Sequence, residues 1–248
     1  MALNLIGIGL NDEKDISLKG LEMVKGSEIV YLESYTSKLE CSVADLERLY
    51  GKKVLLADRI TVDIDAEEKL LLPAKEKVVS LLIIGDSLSA TTHVDLMMRA
   101  KELGVEVRIV HNASVLTAVG VTGLSLYKLG RVTSIPFDNE NIEAPYDVIK
   151  ENNGLHTLVL LDLWPEVGKY MTFREAVEYL LKVESKRNEN VFTEDTLCVG
   201  CAKLGSAKPV IVVGKAKDLK KIGEYPQCLI VPGKMHFMEE EFINTFSL

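Results

Sequence analysis

The first 110 residues alternate between short apolar runs and amphipathic stretches of helical period, and this alternation restricts the fold more than any other feature. "LNLIGIG" (Leu3 to Gly9), "EIVYLE" (Glu28 to Glu33), "KVLLA" (Lys53 to Ala57), Val78 to Ile84 and "VEVRIV" (Val105 to Val110) read as strands. Each is too short for a helix, and most are apolar enough to be buried on both faces. Between them the spacing predicts helices over Ser17 to Gly26, with Ser17 as N-cap, and over Ser42 to Gly51, closed by Gly51. Two more are expected over Asp65 to Lys77, with a kink or break at Pro73, and over Val94 to Leu103, ended by Gly104. Strict alternation of this kind implies right-handed βαβ units and a parallel sheet covered on both faces.

After "HNASV" the texture changes. Val115 to Leu129 reads as a helix or helix pair rich in small residues, followed by a short strand, "RVTSIPF", and a polar loop. A brief helix is expected over Asp147 to Asn153, a strong strand over His156 to Leu163, and a long helix "FREAVEYLLKVESKR" capped by Thr172. "TLCVGCA", "PVIVVG" and "QCLIVPG" are closely spaced strands, which favours a mixed sheet. The expectation is therefore an α/β chain of two domains, 1–112 and 113–248, with a mostly parallel sheet in the first and a mixed sheet in the second.

Composition excludes some functions. At 248 residues, 47% hydrophobic and 27% charged, the chain can bury one large core or two modest ones. A net charge of -8 argues against a surface that coats nucleic acid. No apolar run approaches bilayer length, and "MALNLIGIGLND" lacks the basic and long apolar regions of a signal peptide. A cytoplasmic chain is expected, with no membrane partner. Cys198 and Cys201 form a C-x-x-C, but on a strand residues i and i+3 face opposite ways. No second pair completes a metal site, so free, mostly buried thiols in a reducing compartment are expected.

Ligands of open α/β sheets collect beyond the carboxyl ends of the strands, where three loops stand out. "GIGLND" (Gly7 to Asp12) would let a ligand approach backbone at Gly7 and Gly9. It lacks the third glycine of a dinucleotide fingerprint and any following lysine, which argues against phosphate binding. "IIGDSLSATTH" (Ile83 to His93) gathers Asp86, Ser87, Ser89, Thr91 and Thr92 behind one strand. A turn-shaping Asp86 and a helix-capping Thr92 explain two of these side chains but not the run, so a ligand loop is expected. "HNAS" (His111 to Ser114) is the third loop.

His111 could act as a base, but a lone histidine there, like His93, His156 and His236, is more often a hydrogen-bonded structural residue. No nucleophile–base–carboxylate set and no H-E-x-x-H can be assembled, which disfavours hydrolysis. Transfer of a methyl group from a sulfonium ion needs little acid–base help, because the donor is already activated and placement is the main requirement.

"LIGIGLNDEKDISLKGLEMVK", "IIGDSLSATTH", "VRIVHNASVLTAVGVTGLSLYKLGRVTSIPF", "LLDL", "KYMTFREAVEYLL" and "PGKMHFMEEEF", in this order, resemble the diphthine synthase family of the tetrapyrrole-methylase class. The resemblance spans nearly the whole chain. It implies two α/β domains with S-adenosylmethionine bound in the cleft between them, S-adenosylhomocysteine as product, and a homodimer. It also implies repeated N-methylation of the amino group on a modified histidine of translation elongation factor 2. Carried over by position, the donor contacts are Leu10, Asp86, Ser89, Ser114 and Val115 from the first half, and Leu163, Leu204 and His236 from the second. No general base is implied. The chain departs from the family at Ser87, where G-D-P is usual, and at Trp164-Pro165, where a more polar stretch is usual. Its short C-terminal end suggests the archaeal form, with a trimethylammonium product. A precorrin-type methyltransferase would share fold and donor but hold a macrocycle, and a donor-binding regulator would lack the reaction.

Overall fold

The computed structural model describes residues 1–89 and 93–246, so the hydroxyl of Thr91 and the expected cap at Thr92 lie outside the described residues. The chain divides into two compact units, Met1–Leu116 and Thr117–Leu248.

In the first unit, β1 (Ala2–Gly7), β2 (Ile29–Glu33), β3 (Leu55–Ala57), β4 (Val78–Ile83) and β5 (Glu106–Val110) form the expected parallel sheet, in the order β3-β2-β4-β1-β5. Alternate residues supply its two cores. Leu3, Leu5, Val79, Leu81 and Ile83 pack with Leu96 and Ala100 of α4 (His93–Glu102). Ile6, Val30, Leu32 and Leu82 pack on the other face with Val24 of α1 (Leu18–Lys25) and with Leu46 and Tyr50 of α2 (Val43–Tyr50). Full burial of each such side chain stabilises by about 1.5–3 kcal/mol, which is why these strands carry almost no polar residues. One exception is a buried polar ladder: Asn4 Nδ2 donates to Ser80 Oγ at 3.1 Å, and Ser80 Oγ lies 2.6 Å from Ser27 Oγ.

Local signals fixed the helix ends as read. Ser17 Oγ accepts from Gly20 N–H at 3.1 Å, Ser42 and Asp45 form a capping box, and Gly51 closes α2 with φ 67°. The helix expected to run to Lys77 changes its winding beside Pro73 and ends at Ala74. Residues Ile60–Ile64 and Glu67–Leu71 wind in wide turns, with Asp65 N–H reaching the Ile60 carbonyl at 2.8 Å, and run into α3 (Leu72–Ala74). A proline has no N–H to donate at any pitch, and the helix ends one residue after it, at Ala74.

The second unit holds the expected mixed sheet. Its strands are β6 (Thr133–Ile135), β7 (Thr157–Leu161), β10 (Leu197–Ala202), β11 (Val210–Lys215) and β12 (Gln227–Val231), in the order β11-β10-β12-β7-β6. Only the β6–β7 pair is parallel. The strand expected to reach Leu163 stops at Leu161, because Asp162 turns the chain. Its carboxylate accepts from the N–H groups of Leu163 and Phe137, both at 2.9 Å, and a small hairpin of β8 (Leu163–Trp164) and β9 (Lys169–Tyr170) follows.

Thr172 caps the long helix α7 (Phe173–Arg187), as read, and its buried face carries Phe173, Val177, Leu180 and Val183. α6 (Ala144–Asn152) starts earlier than expected, with Pro145 in its first turn, where a proline costs no hydrogen bond. In place of the helix or helix pair expected over Val115 to Leu129 stand short turns, α5 (Val115–Ala118), Val119–Thr122 and Leu126–Lys128. Thr122 Oγ1 donates back to the Val119 carbonyl at 2.7 Å, and Gly123 reverses the chain at φ 82°. α8 (Phe237–Ile243) follows the last strand. Cys198, Cys201 and Cys228 are buried, and burial pushes the Cys198 thiol well up. No helix among the described residues is long and apolar enough to cross a membrane.

Candidate functional site

A parallel sheet sends all its strand ends to one edge, and the order β4-β1-β5 makes the loops after these three strands neighbours. Gly9 and Gly85 exchange backbone bonds, N–H to carbonyl at 3.2 Å one way and 2.7 Å the other. That exchange stitches the loop after β1 to the loop after β4.

The glycines serve this close approach of the chain to itself. A Cβ at Gly7 would lie 2.7 Å from the Gly85 carbonyl oxygen, and one at Gly9 would lie 2.3 Å from Asp15 Cβ. At Gly7 and Gly9 the space a Cβ would take is filled by the protein's own atoms. Gly85 differs: at φ 90°, a Cβ built there would meet only Leu10 Cδ2 at 3.6 Å and the Ala113 carbonyl oxygen at 3.8 Å. Bare backbone there faces an apolar side chain and a carbonyl at ordinary contact distance.

Two carboxylates and one amide organise the loops. Asp15 Oδ2 accepts from the N–H groups of Leu10 (3.1 Å) and Asn11 (2.7 Å). The amide donors that a phosphate would need after β1 are therefore already satisfied by a protein anion. Asp86 Oδ1 accepts from Leu88 N–H and Ser89 Oγ, both at 3.0 Å. Its Oδ2 accepts from Asn112 N–H at 3.0 Å and lies 2.9 Å from His111 Nδ1. Burial pushes the Asp86 carboxyl up, but these bonds outweigh it and hold it below its ordinary range. Asn112 Nδ2 donates to the carbonyls of Gly7 and Asp15, both at 3.0 Å. Ser114 is buried and caps the next turn, its Oγ accepting from Leu116 N–H at 3.1 Å.

Leu10, Asp86, Ser89 and Ser114 with its neighbour Val115 thus come together in the first unit. Asp86 does so as the organiser of the loops, with four partners of its own. Sequence reading missed Asp15 and Asn112, although both lie in or beside the loops it quoted. In the second unit, β7 and β10 run the same way, so Leu163 and buried Leu204, which follow them, share one end of the sheet. His236 follows the antiparallel β12 at the other end. There its Nδ1 accepts from Met238 N–H at 3.4 Å, and it caps α8.

Residues 2–220 match the family model of the tetrapyrrole (corrin/porphyrin) methylases. A diphthine synthase of Methanosarcina mazei is 47% identical over 252 residues, covering 96% of this chain and 93% of that protein. The chain belongs to the tetrapyrrole methylase family, in its diphthine synthase branch. A diphthine methyl ester synthase of Dictyostelium discoideum is 41% identical, covering 99% of this chain and 98% of its own. A crystal structure of a diphthine synthase superposes with a TM-score of 0.90 at 37% identity, covering 100% of this chain and 96% of that one.

As a member of this branch the chain is an S-adenosylmethionine-dependent methyltransferase of diphthamide biosynthesis. The loops suit that donor better than a nucleotide phosphate. Beside buried Gly85 stand the apolar Leu10 side chain and the Ala113 carbonyl oxygen, groups compatible with a sulfonium cation, while the N–H groups of Leu10 and Asn11 are already spent on Asp15.

Proposed function

We propose that this methyltransferase binds S-adenosylmethionine at the joined loops after β1, β4 and β5. There it repeatedly methylates the amino group of the modified histidine of translation elongation factor 2. The near-full-length similarity to the Methanosarcina mazei diphthine synthase carries this reading. The bound donor supplies an activated methyl group, so the protein's own task is placement. Leu10, Asp86, Ser89, Ser114 and Val115 are the proposed donor residues of the first unit, and Leu163, Leu204 and His236 those of the second. Asp86 acts by shaping the loop, Leu10 and Gly85 by lining it. The attacking amine gives its proton to water, and no side chain is assigned as base. An amine has one lone pair, so three transfers exhaust a primary amine. The protein is proposed to work in the cytoplasm as a homodimer.

The test is incubation with isotopically labelled donor and, in parallel, elongation factor 2 carrying the unmethylated precursor or a precorrin. Label in the factor alone is expected. Label in the precorrin would favour a tetrapyrrole substrate, and label in neither would favour a regulator that only binds the donor.

A further inference from the structure

Several elements of the first unit meet at one buried side chain. His93, the first residue of α4, is 3% exposed, and both its ring nitrogens face oxygen. Nε2 lies 2.6 Å from Glu33 Oε2, and Nδ1 lies 3.1 Å from the Ser87 carbonyl oxygen. A carbonyl oxygen can only accept, so Nδ1 carries a proton. An ionised carboxylate also only accepts, so with Glu33 ionised Nε2 carries one too and the ring is an imidazolium. Its partner Glu33 is fully buried at the end of β2, and the other carboxylate oxygen accepts from the Thr36 hydroxyl. Ser87, buried beside Asp86, donates its own hydroxyl to the Val110 carbonyl at 3.2 Å, at the end of β5.

Burying two charges is a poor way to stabilise a fold, because desolvation offsets much of their attraction and an apolar pair of similar volume often does as well. The geometric result is specific. One charged ring joins the end of β2 to the carbonyl next to Asp86, and through Ser87 to the end of β5.

We propose that the His93–Glu33 pair positions the donor loop, holding the Asp86–Ser89 turn in its binding shape while the imidazole carries both protons. This rests on the reading of that loop as the donor site. The charged groups around His93 are Glu33 from β2, Asp63 from the segment after β3, and Asp95 and Arg99 from its own helix. The last three line, with His93, Val62 and Leu96, a cavity of about 220 Å³. Tyr35 lies two residues past Glu33, with the Arg59 guanidinium 5.4 Å from its ring centre. Burial favours the neutral ring, but the bond and charge of Glu33, with help from the Ser87 carbonyl and Asp63, outweigh it and raise the His93 pKa. A raised folded value means the contribution is complete below the ordinary histidine pKa and is lost as pH rises through the folded one.

The experiment pairs ¹⁵N NMR of the four histidines with donor titration calorimetry across a pH series. His93 is expected to have both nitrogens protonated at neutral pH, and the donor Kd to rise roughly 10-fold as that ring titrates. His93→Gln and Glu33→Gln should each raise the donor KM by about the same factor, leave kcat nearly unchanged and flatten the pH profile. A neutral, single-tautomer His93 from about pH 6 upward would overturn the proposal. So would donor affinity in the wild-type protein that ignores the titration, a result that needs no variant to fold. Failure to bind donor at any pH would remove the donor-site reading as well, whereas binding without the pH response would overturn only the role of His93.

Discussion

The backbone N–H of Asn112 donates to Asp86 Oδ2 at 3.0 Å, so the loop after β5 is held on the loop after β4 by a charge-assisted bond. With its three other partners, Asp86 is a joint between loops as much as a lining group. Asp86→Ala would leave half-buried donors unpaired and should cost about 1–3 kcal/mol, besides weakening donor binding. Asp86→Asn, which keeps one acceptor oxygen, should cost less. Urea unfolding and calorimetry check both. Wild-type stability in Asp86→Ala would mean that the carboxylate does not hold the loops.

The glycines make a contrast. Gly9 and Gly51 both have positive φ, but only Gly9 has a neighbour in the way, Asp15 Cβ at 2.3 Å from the built Cβ. Gly51→Ala should cost about 1–2 kcal/mol from backbone strain alone. Gly9→Ala adds overpacking and should cost roughly 3 kcal/mol or more, with loss of donor affinity. Equal melting temperatures for the two variants would contradict this account.

At position 87 two effects of similar size oppose each other. Proline in place of Ser87 would restrict the unfolded chain, worth about 0.4–1 kcal/mol. It would also remove the buried hydroxyl bond to the Val110 carbonyl, worth about 0.5–1.5 kcal/mol. Ser87→Pro should therefore leave the melting temperature nearly unchanged, while Ser87→Ala lowers it. A large drop in Ser87→Pro alone would show that this backbone cannot take a proline.

Two carboxylates of the second unit, Glu184 and Glu239, are held well below the ordinary glutamate range. Burial pushes Glu184 up, but the N–H groups of Phe192, Asn190 and Val191 and the Tyr146 hydroxyl bring it down to about 2. Glu239 is likewise raised by burial and brought down to about 2 by Lys128, the N–H groups of His236 and Ser125, and His156. Depressed folded values mean the stabilisation is present above the ordinary glutamate range and is lost as pH falls toward 2. Glu184→Gln and Glu239→Gln should flatten the loss of stability between about pH 4.5 and 2 in acid-unfolding curves. Unchanged curves would remove these groups from the acid transition.

The parts of this molecule that were readable from sequence are those decided locally. Runs such as Val78 to Ile83 identify themselves by composition, and Ser17, Ser42 and Thr172 cap helices whose donors lie three residues on. The site was readable only as a set of loops. Asn112 bonds the Gly7 carbonyl across 105 positions, and nothing in "HNAS" says which of its side chains will do so. Gly7 and Gly9 stand out in the sequence, but a missing Cβ does not reveal what fills its place, which here is the Gly85 carbonyl and the Asp15 side chain. The helix or helix pair expected over Val115 to Leu129 is cut into short turns, because small residues permit a helix but Thr122 and Gly123 turn the chain back.

The measurement closest to the central claim is intact-mass analysis of elongation factor 2 bearing the unmethylated precursor, after incubation with this protein and S-adenosylmethionine. The account predicts a gain of up to three methyl groups, all resistant to mild base because they sit on nitrogen. A factor that gains none would contradict the proposed substrate. A fourth methyl released by mild base, as an ester would be, would contradict methylation confined to the amine.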